Sequence, residues 1–282
     1  MKSQPECFSC LYSQALKTSR LLNLDNNQCK AVLDRAAQIL QCHTLDSTAP
    51  QIAKDIYQAI SDITDIEDPV AEAKQQAIIQ AQKIDTTQST TLADALKLSV
   101  IGNVIDFGAP NQFNLQTTVD SHFHQPFAKN DLHKLETDLA SAQSLVLIGE
   151  NVGEHILDLH LLKIIKQQHP HIHLTFFVRG QPVINDVTLK EAAIFEGTAE
   201  VIDTGVATPG FDLSEANETA MKRFQEADIV LAKGMGNFES LYQQTPRDTY
   251  YLFIVKCQVI AKATGQAVKD MILWKEETAD KV

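Results

Sequence analysis

The chain has 282 residues and a formal net charge of −12 at pH 7. An acidic protein argues against DNA or RNA as a partner, since contacts to the phosphate backbone normally rely on a basic surface. The first ten residues are polar, and no apolar run approaches the length of a membrane-spanning helix. We therefore expect a cytoplasmic protein with no membrane partner, long enough for a substantial core in one large domain or two unequal ones.

The first hundred residues predict a helical region. Glycine is absent from them, and apolar residues recur mostly at spacings of three and four. Pro50 after Thr48 and Pro69 after Asp68 are typical of the first turn of a helix that follows a capping residue. Several helical segments are therefore expected over residues 1–100.

A further amphipathic helix is predicted over Thr91–Val104, and Ala109–Gln125 indicates an irregular connection, because proline and asparagine interrupt it. From about Ser144 the pattern changes to repeated strand, glycine-containing loop and helix, which is typical of a parallel sheet covered by helices. We expect residues 101–282 to form a three-layer α/β/α domain, preceded by the multihelical region. The predicted strands are Ser144–Ile148, Ile172–Val178, Asp228–Ala232 and Tyr250–Val255, and the predicted helices are Gly149–Gln168, Thr188–Glu196, Ser214–Ala227 and Gly236–Gln243.

Polar loops follow the four predicted strands, and they begin at Gly149, Arg179, Lys233 and Lys256. In an open parallel sheet, ligands bind beyond the carboxyl ends of the strands, so these loops should converge on one site. Three of them begin with a cation although the chain is acidic, which favours an anionic ligand such as phosphate. The alternative for any one cation alone is a solvated strand end.

Two of these loops also carry oxygen ligands. Glu150, Asn151 and Asp186 offer two carboxylates and a carboxamide from neighbouring strand ends, which suits a hard divalent cation such as magnesium or manganese. Alternatively, Asn151 and Asp186 cap the helices that follow them, since both residue types are favoured at that position. Asn185, beside Asp186, is a further candidate for contact with a substrate.

The loop Gly234–Asn237 opens a predicted helix. Glycine lets the backbone approach a ligand closely, and the first turn of a helix offers unpaired N–H groups to an anion. The spacing does not match a Walker motif, and the loop after Gly149 lacks the full dinucleotide fingerprint, so a nucleotide cofactor is not supported. The candidates for phosphate binding here are Lys233, Gly234, Gly236 and Asn237.

Cysteine usage favours reduced thiols. The count is odd and the positions are dispersed, which is a poor disulfide framework. One pair has the spacing of metal ligands, but a structural zinc site needs four ligands and the sequence has no second close pair. The five cysteines are Cys7, Cys10, Cys29, Cys42 and Cys257.

Taken in order, these motifs resemble the metal-dependent damage-control phosphatase family, formerly domain-of-unknown-function family 89, in its small prokaryotic branch. The resemblance covers nearly the whole chain. It rests on Cys7-x-x-Cys10, on Gly102 to Gly108 (Gly-Asn-Val-Ile-Asp-Phe-Gly) and on the four loops. Where the family usually has Asp-Asn in its first loop, this chain has Glu150-Asn151.

The resemblance implies that Asn151 and Asp186 are metal ligands, with Glu150 at the position of the third. The longer side chain of Glu150 shifts its carboxylate, and a small octahedral ion tolerates little displacement of its ligands. The preference among magnesium, manganese, cobalt and nickel is therefore expected to depend on Glu150. A bridging water between Glu150 and the ion is an alternative.

Two further groups take their expected roles from the resemblance. Asn103 and Asp106 would help to close the substrate pocket, with a simple turn at the helix end as the alternative. Cys7, Cys10 and Cys257 would lie close together as a thiol cluster, with the amino-terminal segment folded over the catalytic face.

We expect metal-dependent hydrolysis of a phosphomonoester of a small phosphorylated metabolite, either a sugar phosphate or a damaged cofactor intermediate. Asp186 would hold the metal that activates water, and Lys256 would stabilise charge on the phosphoryl group. The alternatives are an S-adenosylmethionine-type methyltransferase, because an apolar strand runs into the glycine loop at Gly149, and a catalytically inactive metabolite sensor. The expected substrate-binding residues are Asn103, Asp106, Arg179, Asn185, Lys233, Gly234, Gly236, Asn237 and Lys256.

Overall fold

The computed structural model describes residues 1–102 and 123–277. Asn103, Asp106 and most of the predicted connection Ala109–Gln125 lie outside these residues. Across the two described ranges, no helix is long and apolar enough to cross a membrane. The helices described are α1 (Pro5–Leu21), α2 (Asn26–Cys42), α3 (Ala49–Thr64), α4 (Ala71–Ala81), α5 (Leu92–Ile101), α6 (Leu132–Ser141), α7 (Glu154–Gln168), α8 (Glu218–Glu226), α9 (Gly234–Leu241) and α10 (Gln258–Thr264), with a 3-10 helix at Ala192–Phe195.

The strands described form one sheet in the order β1-β7-β6-β5-β2-β3-β4. Each neighbouring pair from β2 to β6 is parallel, whereas β7 pairs antiparallel with β6 and parallel with β1. The four predicted strands are confirmed as β2, β3, β5 and β6, within one residue at each end. The strands are β1 (Lys129–Asn130), β2 (Ser144–Ile148), β3 (His173–Val178), β4 (Glu200–Asp203), β5 (Ile229–Lys233), β6 (Thr249–Ile254) and β7 (Met271–Glu276).

Helices cover both faces of this sheet. Leu145 and Leu147 of β2 belong to a core that includes α4, α5, α6 and α7. Val146 and Ile148, which point to the opposite face, belong to a second core with α8, α9 and α10. Because both faces are buried, the central strands are apolar throughout. The predicted three-layer α/β/α architecture is confirmed.

Helices α1, α2 and α3 pack around a core of their own, to which α2 contributes Val32, Ala36 and Ile39 at helical spacing. Thr48 caps α3 as predicted. Its hydroxyl oxygen accepts a hydrogen bond from the Gln51 N–H (3.3 Å), and the Gln51 side chain accepts one from the Thr48 N–H (3.0 Å). This reciprocal pair satisfies two donors at the start of the helix.

The expectation that Asp68 caps a helix beginning with Pro69 is wrong. Helix α4 begins at Ala71, and Val70 occupies the capping position. The Asp68 carboxylate accepts hydrogen bonds from the Val70 N–H (3.2 Å) and from Lys74 Nζ (3.0 Å). Its oxygens therefore hold the turn before the helix and pair with a buried lysine.

Helices α4 and α5 contribute to the core of the sheet and not to that of α1–α3. Helix α5 packs on α7, and a hydrogen bond from Ser99 Oγ to Asp158 Oδ1 (2.6 Å) joins them. The helices of residues 1–100 thus divide between two cores. Helices α1–α3 form one, and α4 and α5 belong to the core on one face of the sheet.

Of the four helices predicted after strands, three form and one does not. The helix expected from Gly149 begins later, because Gly153 at its capping position has φ of +94° and closes a turn. The other two form as α8 and α9. The predicted helix Thr188–Glu196 is wrong, since only the 3-10 helix forms there. The Glu191 carboxylate accepts hydrogen bonds from the N–H (3.0 Å) and hydroxyl (2.8 Å) of Thr188, in the turn that precedes the 3-10 helix.

Replacement Thr48→Ala removes the hydroxyl that accepts the Gln51 N–H at the start of α3. We expect it to lower the free energy of unfolding by about 1 kcal/mol, as is usual for the loss of a capping side chain. Urea denaturation measures this change. The control Thr219→Ala, at an exposed position in the first turn of α8, should leave stability unchanged or slightly higher, because alanine is the better helix former. Equal losses in both variants would contradict the capping role.

Candidate functional site

The loops that follow β2 and β3 are joined to each other at the carboxyl edge of the sheet. The Val187 N–H donates to the carbonyl of Glu150 (2.8 Å), and Asn151 and Asp186 form an isolated antiparallel bridge. The Asn151 side-chain amide donates to Glu150 Oε2 (3.0 Å). The structure therefore brings together the three side chains that the sequence predicts as metal ligands.

Both carboxylates of this group resist ionisation where they stand. Burial raises the pKa of Asp186 to about 6, although the charges of Arg179 and Lys74 oppose the shift. Burial is also the main reason why the pKa of Glu150 is raised, with further contributions from the negative charges of Glu154 and Asp186. A cation between the two carboxylates would relieve this cost. Two carboxylates and a carboxamide are oxygen donors of the kind that hard divalent cations take, so the residues present fit such an ion.

Arg179 follows β3 and is 1% exposed. Its Nε donates to Asp186 Oδ2 (2.8 Å), and its Nη2 donates to the carbonyl of Gly149 (3.2 Å) and to Asn237 Oδ1 (3.0 Å). Among the residues described, Nη1 has no hydrogen-bond partner. The guanidinium group therefore orients Asp186, and the two N–H donors of Nη1 are left for a further acceptor. Its predicted contact with a substrate stays a prediction.

Asn237, in α9, is fully buried and uses its whole amide within the protein. Its oxygen accepts from Arg179 and from the Phe211 N–H (2.8 Å). Its nitrogen donates to the carbonyls of Lys233 (2.6 Å) and Gly149 (3.1 Å). Asn237 thus ties the loops after β2, β3 and β5 together. The contacts leave no amide hydrogen for the substrate, in contrast to what the sequence predicts.

The glycine loop before α9 holds a carboxylate of the protein itself. The Gly236 N–H donates to Glu150 Oε1 (3.1 Å). Gly234 has φ of +74°, and a Cβ atom there would lie 1.7 Å from Glu150 Oε2. The positive φ favours glycine at this position, and any larger residue would also displace the Glu150 carboxylate. The predicted contact of Gly234 and Gly236 with phosphate stays a prediction, and in this structure Glu150 occupies that place.

Lys233 ends β5 with its side chain fully buried. Its ammonium group donates to Glu154 Oε1 (2.6 Å), Asp158 Oδ1 (2.6 Å) and the carbonyl of Ser99 (3.1 Å). Burial alone would lower the pKa of Lys233, but the charges of Asp158 and Glu154 raise it. Three acceptors use the three donors of the ammonium group. The lysine predicted to bind substrate thus serves an internal ion cluster.

Sequence reasoning missed the two acids of this cluster. Glu154 and Asp158 are four residues apart on α7, on the same side as the buried Leu157 and Leu161. Two acids within an apolar stripe are a signal that could have revealed them, because buried carboxylates need a partner. Each lies at hydrogen-bond distance from Lys233.

Lys256 lies two residues after the end of β6 and is exposed. Its positive charge lowers the pKa of Glu150, which places its ammonium group near that carboxylate. The backbone N–H of Lys256 donates to the sulfur of Met235 (3.3 Å), so the loop after β6 contacts the glycine loop after β5. Lys256 is therefore an exposed cation beside the predicted metal ligands.

The three cysteines of the predicted thiol cluster are free and lie near one another. Cys7 and Cys10 are in α1, and Cys257 caps α10. Burial raises the pKa of Cys7 and of Cys10, and electrostatic interactions with Cys257 and Glu239 raise both further. Within residues 1–102 and 123–277, no group of three or more His, Cys, Asp and Glu side chains is arranged to hold a metal ion. The role of the three thiols stays a prediction.

The helical region also reaches the site, through residues that sequence reasoning missed. Lys74 of α4 is 2% exposed, and its charge lowers the pKa of Asp186. Tyr57 of α3 lies near enough to Asp186 for the carboxylate charge to raise the pKa of the phenol. A cleft of about 190 Å³ lies between α3 and the loop after β3, with Tyr57, Asp68, Gln181 and Val183 in its walls.

Asn185 lies in the same loop, one residue before Asp186, and is half-buried. Its carbonyl accepts a hydrogen bond from the Val152 N–H (2.8 Å), which adds to the contact between the loops after β2 and β3. The backbone of Asn185 therefore positions the site. The contact of its side chain with substrate stays a prediction.

Comparison with known proteins gives the family. A family model described as the damage-control phosphatase ARMT1-like domain matches residues 3–272. The chain belongs to this damage-control phosphatase family. Among similar proteins, a damage-control phosphatase of Pyrococcus horikoshii is 28% identical over 272 residues, which are 93% of this chain and 94% of that protein.

Two other archaeal proteins are similar to this chain over almost their full lengths. A damage-control phosphatase of Archaeoglobus fulgidus is 26% identical over 96% of this chain and 98% of its own. An uncharacterised protein of Methanocaldococcus jannaschii is 28% identical over 98% of this chain and 96% of its own. The crystal structure of a DUF89 family protein from Pyrococcus horikoshii has a TM-score of 0.90 at 24% identity and covers 98% of this chain and 100% of that chain. This likeness establishes the fold.

Replacement Lys233→Met should destabilise the protein strongly, because Glu154 and Asp158 would stay buried without their cation. We expect a loss of about 3–5 kcal/mol, the usual cost of removing one partner from a buried ion pair. Thermal and urea unfolding measure it. Lys134 pairs with Glu277 at the surface, so the control Lys134→Met should cost less than about 1 kcal/mol. A small effect at Lys233 would show that water reaches the cluster.

Proposed function

We propose that this member of the damage-control phosphatase family hydrolyses a phosphomonoester of a small phosphorylated metabolite with the help of a divalent metal ion. The observation that carries the proposal is the meeting of Glu150, Asn151 and Asp186 at one edge of the sheet, beside the exposed cation of Lys256. The names of the archaeal relatives support a phosphatase role. Family membership gives the methyltransferase alternative no support.

Asn151, Asp186 and Glu150 would hold the ion, which is magnesium, manganese, cobalt or nickel in this proposal. When bound, such an ion supplies polarisation of the phosphoryl group and activation of a water. Asp186 reaches the site as an oriented carboxylate, because Arg179 donates to one of its oxygens (2.8 Å). Glu150 has the longer side chain, and its contact with Gly236 (3.1 Å) draws the carboxylate toward the glycine loop.

Lys256 would bind the phosphoryl group of the substrate. It is the predicted phosphate-binding lysine that is exposed, whereas Lys233 is enclosed by its acceptors. An ammonium group next to the ligand set would attract the phosphoryl oxygens and stabilise the charge that develops on them during transfer. Asp186 and Lys256 are therefore the residues to which we assign catalysis.

The remainder of the substrate would lie toward the helical region, in the cleft that Val183 helps to line. The carbonyl of Val183 accepts a hydrogen bond from the Asp186 N–H (3.0 Å), so this cleft lies close to Asp186. Sugar phosphates and damaged cofactor intermediates are the metabolites proposed. We also place the protein in the cytoplasm, and we expect no nucleic-acid partner for a chain of net charge −12.

Two variants separate the roles of metal and phosphate binding. Asp186→Asn removes a charged ligand and should lower both metal affinity and turnover by orders of magnitude. Lys256→Ala removes the phosphate contact and should weaken binding of the substrate or of inorganic phosphate while metal affinity holds. Release of phosphate from a panel of phosphomonoesters, measured across magnesium, manganese, cobalt and nickel, together with calorimetric titration of the metal, gives both quantities.

The control is Lys262→Ala, which removes an exposed lysine of α10 and should change neither quantity. Near-normal turnover and metal content in the Asp186 variant would contradict its assigned role. A collapse of metal affinity in the Lys256 variant, with substrate affinity intact, would contradict the role of the lysine. Ligand binding with no phosphate release under any of the four metals would instead favour an inactive sensor.

A further inference from the structure

Glu154, the first residue of α7, connects the buried ion cluster to the proposed metal ligands. It has no exposed surface. One carboxylate oxygen, Oε1, accepts from Lys233 Nζ (2.6 Å), and the other, Oε2, accepts from the side-chain amide of Asn151 (3.4 Å). Glu154 therefore bridges a buried cation and a proposed metal ligand.

The position of Glu154 is set by its cation. The Lys233 ammonium group is held in three directions, by Glu154, by Asp158 (2.6 Å) and by the carbonyl of Ser99 (3.1 Å). Its Cα belongs to the fully buried strand β5. An ammonium group with all three donors engaged in a closed interior has little freedom to move. The carboxylate of Glu154 thus has a rigid support.

Among the residues described, the hydrogen bonds of the Asn151 side chain all use its nitrogen. The nitrogen donates to Glu150 Oε2 (3.0 Å) and to Glu154 Oε2 (3.4 Å), which uses both amide hydrogens. A carboxamide is planar, so these two hydrogen bonds also determine the direction of its oxygen. The oxygen is the atom that a hard divalent cation takes from asparagine. Without Glu154, only Glu150 would hold the amide in this orientation.

We propose that Glu154 is a positioning residue, which, braced by Lys233, holds the Asn151 amide so that its oxygen faces a divalent cation. This inference rests on the proposed metal site. Partners of this kind orient the groups that bind a metal, and their loss typically costs about 10–100-fold in metal affinity.

Asp158 provides a matched control, because it shares the contact with Lys233 but has Ser99, and not Asn151, as its second partner. Both acids are fully buried on α7, and both accept a hydrogen bond of 2.6 Å from Lys233. Of the two, Glu154 is the one that contacts Asn151. Replacing either acid by its amide removes one negative charge from the same cluster. A role confined to pairing with Lys233 would make the two variants equivalent.

The experiment is calorimetric titration of the whole purified chain with Mn²⁺ in the absence of substrate. We expect Glu154→Gln to weaken Mn²⁺ binding by about 10–100-fold and Asp158→Asn to weaken it by less than about threefold, since that acid does not touch a ligand. Thermal unfolding of each variant verifies that both are folded. Glu154→Asp, which keeps the charge but withdraws it from Asn151, should also weaken binding and serves if the glutamine variant does not fold.

A second measurement tests whether the effect passes through Asn151. In an Asn151→Ala background, Glu154→Gln should cause no further loss of Mn²⁺ affinity, because the group that it positions is gone. Equal losses in the Glu154 and Asp158 variants, or an undiminished Glu154 effect without Asn151, would overturn the inference. If the unaltered chain binds Mn²⁺ and Glu154→Gln binds it equally well, the inference about Glu154 is wrong and the proposed metal site stands. Failure of the unaltered chain to bind Mn²⁺ would overturn the proposed metal site together with it.

Discussion

Charge buried at the carboxyl edge of the sheet is the constraint on which the rest of the site depends. Arg179 follows β3 and Lys233 ends β5, the two strands that flank β2, and their exposed fractions are 1% and 0%. Removing each ion from water costs several kcal/mol unless opposite charges and hydrogen bonds compensate it closely. Asp186 compensates Arg179, and Glu154 with Asp158 compensates Lys233. The acids of the site therefore stand where the buried cations require them.

This arrangement gives the cations a different task from the one that their positions suggest. A cation at a strand end of a parallel sheet is well placed to meet an anionic ligand. Here Arg179 and Lys233 form ion pairs with acids inside the protein. The exposed Lys256 lies beside Glu150. The internal ion pairs then act as supports for Asp186 and Asn151. Rigid support of this kind is what a metal site needs, because ligand positions determine affinity.

The helical region contributes to the same site. Ile184, two residues before Asp186, packs against the core of α1–α3 with φ of +45°. Lys74 and Tyr57 approach Asp186 from α4 and α3. Contacts from Gln51 to Asp212 (2.9 Å) and from Lys54 to Glu215 attach α3 to the loop before α8. The loop that carries Asp186 is thus held between the sheet and the helices.

Hydrophobic pattern was sufficient for the parts of the fold that are buried on both sides. Strand β2 is a run of apolar residues followed by a glycine loop, and such runs predict central parallel strands well. Strand β4 (Glu200–Asp203) escaped prediction because it is a short edge strand with charged ends. Strand β7, which pairs antiparallel with β6, also escaped prediction.

The sequence was sufficient to predict which loops meet at the edge of the sheet, and less so to predict the contacts between their side chains. The positions of Asn151 and Asp186 after adjacent strands sufficed to place them together. Sequence could not reveal that Lys233 points inward, because that depends on Glu154 and Asp158, which α7 brings to it. Nor could it reveal that Glu150 reaches into the glycine loop, since the space exists only where Gly234 lacks a Cβ atom. Contacts between elements, and not local patterns, decide these points.

The most direct measurement is an anomalous-difference map from crystals of the whole chain soaked in Mn²⁺. The account predicts one strong peak within about 2.5 Å of oxygen atoms of Asn151 and Asp186, the distance range of metal–oxygen coordination. Such a peak would place the ion between the loops after β2 and β3. Mn²⁺ bound elsewhere, too far from the oxygens of Asn151 and Asp186 to be coordinated by them, would contradict the account.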